Sequence, residues 1–565
     1  MHLISRSIKL ACIVPTTIGA LGLACGSERG SMDAFGASAG TGTASGAEGG
    51  PGGGSAAGTG GAEGNSEGSG GMDTVEDGGG PGPGSGPVDD GGEDTSDEFR
   101  FDLPDADADP GGNTPPEQKT CGEGGFVFNV PYQRPPDPSR GTIDCSGGSV
   151  TKADVVLSMD TSSSMQSMIN GVSASFSEIV ADLGAEIPDI AFGAGWFRDF
   201  PVCGMAGASG DQPWMLVHRV MTVSTPAGLD SVQSSLRMTA DGGGDGPESA
   251  YQALHEIATG QGVAIGGATV PPFNGATAYP TPPPAGERVG DIGGVGFRSG
   301  SLPIVVVATD TKSHNCASSP ENDYPCSGAA TCGQATQELI DIGARMIALL
   351  PAPLLVPGFE AALEAEWAKT EGEFKNVAIP TGGVVAPSAW SIGGATRPAG
   401  CAPDQCCTGA DATGRPPEPD GQCPLVFRMG TNWMGVGASI TTAIKVLAKG
   451  GSFNISAAIE DDPSDTVDAV AEFVDYIEAS ASNTPPCTGG HMTDDSDGDG
   501  HSDRFINLTT GESVCFDLIP KPNVTVPGTD VEQRFKAYVD IQGSGVTSLG
   551  RIEVTFVVPP WVTPG

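Results

Sequence analysis

One apolar stretch that ends in acidic and hydroxyl side chains constrains the fold most tightly. The run Val155–Met159 has the composition of a parallel strand buried on both faces, and Asp160 follows it directly. Ser162 and Ser164 come next at alternate positions, on the predicted turn into a helix. A carboxylate at the carboxyl end of a central strand, followed by two hydroxyls, can begin an oxygen-only cage for Mg²⁺ or Mn²⁺.

Strands and helices alternate from Asp154 onward, which predicts an α/β domain with a doubly wound parallel sheet. We predict strands over 154–160, 189–198, 214–223, 303–310 and 345–350. We predict helices over 165–184, 227–238, 247–259, 334–343, 358–369 and 436–449. A strand over 452–459 and an acidic helix over 464–480 are predicted to close this domain, which we bound at 150–483.

Two later stretches end in carboxylates that suit the same cage. Gly244–Glu248 opens a predicted helix, and Pro303–Asp310 is a second buried strand that ends on an aspartate. Together with the first stretch, in this order, they resemble the von Willebrand factor A fold, and most of all its integrin β-subunit I-like branch. Ile190–Phe197 and Val295–Arg298 also resemble that branch, and the resemblance covers about residues 150 to 480.

The resemblance implies a metal-ion-dependent adhesion site. Its metal-shell residues would be Asp160, Ser162, Ser164, Glu248 and Asp310. In that family an open metal position takes a carboxylate from a binding partner. Gln166, Ser167 and Gly243 stand where the branch has ligands for flanking metals, so we expect one site and not three in a row. A degenerate, metal-free domain of the same fold is the alternative.

The amino terminus has the pattern of an export signal. Basic residues precede an apolar run over Leu10–Ala24, which is too short to span a bilayer but suits a signal-peptide core over 1–24. The segment Leu21–Cys25 resembles a bacterial lipobox, although Gly22 replaces the usual leucine, and implies that Cys25 is lipidated. An ordinary secretory signal cut near Ala24 is the alternative. We expect outer-membrane anchoring, with the chain at the cell surface.

Composition divides the next part of the chain into a tether and a lead-in. Residues 25–98 are rich in Gly and Ser and nearly free of apolar side chains, which predicts a disordered tether. Residues 99–149 form a Pro/Asp-rich lead-in, with Cys121 and Cys145 as a predicted pair. The 14 cysteines indicate an oxidising compartment. The cluster Cys401, Cys406, Cys407 and Cys423 has no nearby histidine and favours disulfides over zinc.

A separate acidic loop lies near the carboxyl terminus. We predict a small all-β unit over 484–565, with strands at 513–519, 534–541 and 550–558. Asp495, Asp497, Asp499 and Asp503 are spaced as at the start of an EF-hand and also resemble a thrombospondin type 3 calcium repeat. Ile506 replaces the bidentate glutamate of an EF-hand. We expect Ca²⁺ here, with a solvated acidic linker as the alternative.

The net charge and the lack of catalytic motifs argue against two classes of function. The formal net charge of −43 argues against nucleic acid as a partner. No serine or cysteine nucleophile lies in a recognisable elbow, and His314 is interpreted as a loop residue, so we expect no enzyme. The sequence favours a lipid-anchored adhesion protein whose metal bridges to an acidic group of a protein or glycan. An envelope scaffold with a structural metal and an extracellular hydrolase are the alternatives.

Overall fold

A computed structural model describes most of the chain beyond the predicted tether. The described residues are 117–120, 125–144, 150–203, 207–318, 320–351, 360–430, 433–485 and 487–561, and all of them lie in one compact unit, Asp102–Gly565. The signal peptide over 1–24, the lipidation site Cys25, the tether over 25–98 and the pair Cys121 and Cys145 lie outside the described residues.

The elements alternate as predicted through the middle of the chain, between two groups of strands. The helices are α1 (Gln166–Gly184), α2 (Pro226–Ser235), α3 (Ala250–Thr259), α4 (Cys332–Asp341), α5 (Glu360–Ala378), α6 (Val436–Gly450) and α7 (Ala469–Phe473), with 3-10 turns at Ser163–Met165, Pro320–Asn322, Pro387–Gly394 and Ala410–Ala412. The strands before residue 300 are β1 (Glu117–Thr120), β2 (Phe126–Asn129), β3 (Gly141–Asp144), β4 (Lys152–Asp160), β5 (Asp189–Phe197), β6 (Met215–Thr222), β7 (Val263–Ile265) and β8 (Ala268–Val270). The later strands are β9 (Leu302–Ala308), β10 (Arg345–Pro351), β11 (Val384–Val385), β12 (Cys423–Pro424), β13 (Val426–Met429), β14 (Ser452–Asp461), β15 (Val474–Ala479), β16 (Thr493–Asp494), β17 (Arg504–Thr509), β18 (Cys515–Pro520), β19 (Gln533–Gly543) and β20 (Thr547–Val558).

The central sheet has six strands in the order β13-β10-β9-β4-β5-β6. All neighbouring pairs are parallel except β5 with β6, which places one antiparallel strand at the edge. The strand β4 lies inside the sheet, and its β-branched and apolar residues are buried on both faces. The carboxyl ends of β4 and β9 therefore meet at one edge, where Asp160 and Asp310 lie.

Helices cover both faces of this sheet. On one face, Leu157 of β4 packs in a core with Phe176 of α1 and Ile440 of α6. On the other face, Val156 belongs to a second core that includes Leu254 of α3 and Phe374 of α5. The buried positions of α1 recur at intervals of three and four residues, which is the period of a helix with one apolar face. The domain is thus a mixed α/β layer structure around a largely parallel sheet.

Two further sheets are built from strands on either side of the α/β elements. One has six strands in the order β16-β17-β14-β19-β20-β2, and the other has four in the order β1-β3-β18-β15. The sheets pack against each other: the rings of Phe505 and Phe516, one on each sheet, have centroids 5.2 Å apart. Because β1 to β3 precede the α/β elements and β14 to β20 follow them, the α/β domain is an insertion into a β-sandwich.

The predicted domain ends differ from this arrangement. The strand predicted at 452–459 forms as β14, but it pairs with β17 and β19 of the sandwich and not with the central sheet. The acidic helix predicted over 464–480 is wrong, since only Ala469–Phe473 is helical and Val474–Ala479 is a strand. The β unit therefore begins before residue 484, and lead-in strands complete it. The strands that were not predicted are β1, β2, β3, β7, β8, β11, β12, β13, β15, β16 and β17.

Five disulfides join cysteines of the described residues. They are Cys203–Cys326, Cys316–Cys332, Cys401–Cys407, Cys406–Cys423 and Cys487–Cys515. The four-cysteine cluster forms two of these bonds, which confirms disulfides over zinc there. Such pairing suits an oxidising, extracellular setting. Among the described residues, the helices lack the combination of length and apolar character needed to cross a bilayer.

A buried ion pair holds the turn into β9 against β4. Asp154 is fully buried in β4, and its carboxylate accepts a hydrogen bond of 2.7 Å from Nε of Arg298. The Arg298 guanidinium also contacts Asp189 at the start of β5. Arg288 pairs with the same Asp189 from the surface, where its side chain is 62% exposed. The two arginines share a partner but differ in burial.

We predict that Arg298→Met lowers the free energy of unfolding by about 3 to 5 kcal/mol, because Asp154 is left buried without a counter-charge. The matched change Arg288→Met should cost about 0 to 1 kcal/mol, since it removes an exposed ion pair. Urea unfolding of both variants measures the difference. Equal losses in the two variants would contradict this account of β4.

Candidate metal centre

The turn after β4 presents the first three site residues. Asp160 is fully buried, and its Oδ1 accepts a hydrogen bond of 2.7 Å from the backbone N–H of Ser162. Its Oδ2 accepts a second bond of 2.7 Å from the Thr309 hydroxyl at the end of β9. The first bond is an Asx turn, which an aspartate at a strand end forms readily. These bonds fix the carboxylate under the hydroxyls that follow it.

The hydroxyls of Ser162 and Ser164 lie close together, and Ser164 also contacts Asp310. Their Oγ atoms are 3.3 Å apart. Burial raises the pKa of the Asp310 carboxyl, and a hydrogen bond from the Ser164 side chain offsets part of that rise. Asp160, Ser162, Ser164 and Asp310 are thus linked through direct contacts at the carboxyl ends of β4 and β9.

Backbone pairing brings Glu248 to the same edge. Its N–H donates to the Lys312 carbonyl over 3.0 Å, and its carbonyl accepts from the His314 N–H over 3.0 Å. The Ser313 hydroxyl donates to the same carbonyl over 2.8 Å. This short bridge ties the segment before α3 to the segment after β9, and so brings Glu248 near Asp160. Within the described part of the chain, the carboxylate oxygens of Asp160, Glu248 and Asp310 do not all lie within 4.8 Å of one another.

The side chain of Glu248 is buried and only partly satisfied. The residue is 2% exposed, and its Oε2 has no hydrogen-bond partner within the described part of the chain. A Cβ placed on Gly243 would lie 3.4 Å from Glu248 Oε1 and 3.6 Å from Ser162 Cβ, so Glu248 and Ser162 border the same small space. Gly243 has φ +90°, which favours glycine over the asparagine of the resembled branch.

Electrostatics at this edge oppose ionisation of the carboxyls. Burial raises the pKa of Asp160 to about 7, and the nearby charge of Asp310 adds to the rise. Burial and then the charge of Asp160 raise the pKa of Glu248 well above its ordinary range. A bound divalent cation would reverse both effects, because it favours the ionised carboxylates. The all-oxygen donor set and the unpartnered Glu248 oxygen therefore fit Mg²⁺ or Mn²⁺.

An open cleft of about 700 Å³ adjoins the site. Ser164 and Asp310 line it on one side, and Trp367 and Trp433 line it on the other. Lys312, also in the lining, forms an ion pair with Glu366. The cleft gives a partner group access to the hydroxyl and carboxylate edge of the site.

A second cluster beside this site was not predicted. Carboxylate oxygens of Asp199 and Asp245 and a ring nitrogen of His314 lie within 4.8 Å of one another. Asp199 Oδ2 is buried and has no partner among the described residues, while Tyr324 donates to Asp199 Oδ1. These three residues can hold a cation, so a second candidate adjoins the single expected site. Asp199 lies two residues after the end of strand β5. A carboxylate just after a buried strand is the same sequence signal that identified Asp160 and Asp310.

The acidic loop near the carboxyl terminus is ordered by its own aspartates. Carboxylate oxygens of Asp495, Asp497 and Asp499 lie within 4.8 Å of one another. Asp495 accepts backbone bonds of 2.7 Å from Gly498 and 2.9 Å from Gly500. Asp503 instead accepts from the Ser496 backbone over 2.7 Å. The structure therefore brings three of the four predicted ligands together, with the fourth bonded to the loop's backbone.

Comparison with known proteins shows only remote similarity. No family model matches the chain, and no curated protein matches its sequence. Among solved structures, the pilus adhesin SpaC from Lactobacillus rhamnosus GG in its open conformation is 11% identical, with a TM-score of 0.29 over 74% of this chain and 47% of that chain. A second structure of this adhesin is 10% identical, with a TM-score of 0.28 over 72% and 44%. Proximal thread matrix protein 1 from the mussel byssus is 15% identical, with a TM-score of 0.22 over 41% of each chain. The chain spans less than half of the adhesin's length, and these TM-scores are too low to carry an argument.

We predict that the metal-free protein loses stability as pH rises from about 4 to about 7. Over that range Asp160 is protonated in the folded state and ionised in the unfolded state, so its contribution falls by about 1.4 kcal/mol per pH unit. Urea unfolding in EDTA at several pH values measures the slope. The slope should be shallower in Asp160→Asn, and an unchanged slope would contradict the assignment.

We predict that Ca²⁺ protects the acidic loop over 494–503 from proteolysis. In Asp499→Asn the protection should require about tenfold more Ca²⁺, because one charged ligand is lost. Asp404→Asn, at an exposed position outside the loop, is the control and should match the unchanged protein. Mass spectrometry of the cleavage products locates the cuts. Equal cleavage of the unchanged loop in Ca²⁺ and in EDTA would favour a solvated linker.

Proposed function

We propose that this chain is a lipid-anchored cell-surface protein that binds a partner through a divalent metal. The α/β domain would be of the von Willebrand factor A type, close to the integrin β-subunit I-like branch. Its partner would be an acidic group of a protein or glycan. Cys25 would carry the lipid at the outer membrane, and the segment over 25–98 would hold the domain away from the membrane surface.

One observation supports this proposal: carboxylates from three distant segments lie near one sheet edge, and one of their oxygens is buried without a partner among the described residues. Asp160, Glu248 and Asp310 come from the ends of two strands and the start of a helix, and Glu248 Oε2 is buried without a bond among the described residues. Burying such an oxygen is unfavourable unless a cation or a proton satisfies it. The strand order, with one antiparallel strand at the edge, also supports the proposed fold type.

Each residue of the proposed site would have a role set by its position around the metal. Bound Mg²⁺ or Mn²⁺ supplies positive charge and a coordination position open to a partner oxygen. The hydroxyls of Ser162 and Ser164, 3.3 Å apart, would be ligands of that metal, and Ser164 lines the cleft through which a partner carboxylate would reach it. Buried Asp160 holds the turn that presents these hydroxyls. Thr309 holds Asp160 in turn, and acts as a positioning residue.

The charge of the chain favours contact through the cation. The formal net charge of −43 repels an anionic partner from most of the surface. Lys312 in the cleft is already paired with Glu366, so a metal would provide the uncompensated positive charge there. An acidic group would thus be attracted to the metal and disfavoured elsewhere. We expect binding and not catalytic turnover.

We predict that Mg²⁺-dependent attachment is lost in Ser162→Ala and Asp160→Ala. Beads coated with the protein are tested for attachment to intact cells in Mg²⁺, in EDTA, and after Mn²⁺ is restored. Attachment should fall at least tenfold in EDTA and in both variants, since a metal-bridged contact needs these donors. Continued attachment in EDTA would contradict the proposed function.

Ser163→Ala is the matched control, because Ser163 is an exposed serine on the same turn between the two proposed donors. It should attach like the unchanged protein. If Ser162→Ala and EDTA lower the midpoint of thermal unfolding while the partner stays bound, the metal is structural and the protein is a scaffold. Binding competition by short acidic peptides or by acidic glycans then distinguishes the two partner classes.

A further inference from the structure

A second cavity lies where the α/β domain meets the β-sandwich. It has a volume of about 590 Å³, which is within the usual range of small-molecule pockets. Arg345 and Thr381 line it from the α/β domain, and Asn454, Ser456 and Asn507 line it from the sandwich. Arg345 is the first residue of β10, whereas the candidate metal centre lies at the carboxyl ends of the parallel strands. A seven-residue strand separates these edges by about 20 Å, so the cavity is a distinct site.

Arg345 is a buried cation that contacts only neutral groups. The residue is 8% exposed, and its Nη1 donates to the Thr381 carbonyl over 2.9 Å. Its Nη2 donates to the Ser452 carbonyl over 3.2 Å and to the Ser544 hydroxyl over 2.9 Å. The guanidinium lies 4.8 Å from the centre of the Phe453 ring. Its Nε has no partner among the described residues.

No acidic side chain compensates this charge within the described part of the chain. Burial is the one influence on the pKa of Arg345, which it lowers to about 10, with no carboxylate to raise it. A buried charge without a counter-ion is unfavourable. This lack of a carboxylate partner is unexpected, because the chain has 70 acidic residues and only 27 basic ones.

The rest of the lining suits a ligand that carries hydroxyl groups. Ser452, Asn454, Ser456, Ser496 and Asn507 contribute hydroxyl or amide side chains to the wall. These groups both donate and accept hydrogen bonds, as sugar hydroxyls require. Arg504 also lines the cavity, but its guanidinium already pairs with Asp494. The cavity is several times larger than a bare phosphate or sulfate needs, so the anion is part of a larger polar molecule.

Two non-glycine residues in this wall adopt a left-handed backbone. Asn507 has φ +54° and Ser544 has φ +51°, and both lie in the lining. A serine in this conformation is uncommon, and such residues concentrate at binding sites. The Ser544 turn presents its hydroxyl to Arg345, so this backbone orients the guanidinium at the cavity wall.

We propose that this cavity binds a small polyhydroxylated anion, a sugar acid or a sugar phosphate, with Arg345 as its counter-charge. The anionic group would lie against the part of Arg345 that lines the cavity, and would compensate its charge there. The hydroxyl and amide side chains of the sandwich would bind the sugar ring. The ligand would contact both the α/β domain and the sandwich, and would therefore stabilise their junction.

Calorimetric titration of the full chain tests the proposal with four probes: glucuronate, glucose 6-phosphate, inorganic phosphate and glucose. We expect one of the two anionic sugars to bind at least tenfold more tightly than glucose and than inorganic phosphate. The tighter of the two identifies the carboxylate or the phosphate class. Binding of inorganic phosphate as tight as that of both sugars would overturn the role of the hydroxyls. Failure of all four to bind would overturn the site.

Variants separate binding from a structural role of Arg345. Arg345→Gln should raise the dissociation constant at least tenfold, but it also removes bonds across the junction and could prevent folding. Ser456→Trp keeps Arg345 and fills the cavity from the half-buried face of β14, and it should weaken binding equally. Arg534→Gln removes an exposed arginine outside the cavity and should bind normally. Unchanged binding in Ser456→Trp would overturn the proposal.

Metal-dependent attachment of these variants provides an independent readout. Because the cavity lies at the opposite edge of the sheet, Ser456→Trp should attach to cells in Mg²⁺ like the unchanged protein. The proposed adhesive function can therefore fail while the anion site stands, and the anion site can fail while the adhesive function stands.

Discussion

Repulsion among carboxylates at one edge of a parallel sheet is the constraint on which the site depends. Backbone geometry places Asp310 and Glu248 close enough to Asp160 for their charges to interact: β4 pairs in parallel with β9, and a bridge joins Glu248 to the segment after β9. Neither arrangement depends on attraction between the side chains. The fold therefore holds the acidic groups close together against their mutual repulsion, and a cation or protons must relieve it. A second acidic pair, Asp199 and Asp245, lies immediately beside them.

Buried arginines have different roles elsewhere in the α/β domain. Arg298 forms ion pairs with Asp154 and Asp189. These contacts link β4, β5 and the turn into β9 at the amino ends of the strands. Arg345 lies at the same edge of the sheet but bonds neutral oxygens of both domains. The first is a closed ion pair whose role is stability. The second has no carboxylate partner among the described residues and lines a cavity, which distinguishes it from the paired Arg298.

The sequence was sufficient to predict the central strands and most helices of the α/β domain. The apolar runs before Asp160 and Asp310 are strands β4 and β9, because a parallel strand buried on both faces is an uninterrupted apolar run. The helices predicted over 165–184 and 436–449 form as α1 and α6. Each of these signals is local, so residues within a short window carry it.

What the sequence could not predict depends on pairing between distant segments. The strand β14 has a strand-like sequence, but its partners β17 and β19 lie more than forty residues later. The residues of β14 alone do not indicate which strands they pair with. The acidic pattern over 464–480 resembled a helix face, yet tertiary pairing with β18 makes Val474–Ala479 a strand. For the same reason His314 was interpreted as an isolated loop residue. Its partner Asp199 follows another strand, and only the fold brings the two together.

The most direct test of the central claim is an X-ray structure of crystals grown in Mn²⁺, with data collected at the manganese absorption edge. The account predicts an anomalous peak within coordination distance of the Ser162 and Ser164 hydroxyls, between Glu248 and Asp310. A peak confined to Asp199, Asp245 and His314, or the absence of any peak at the sheet edge, would contradict it.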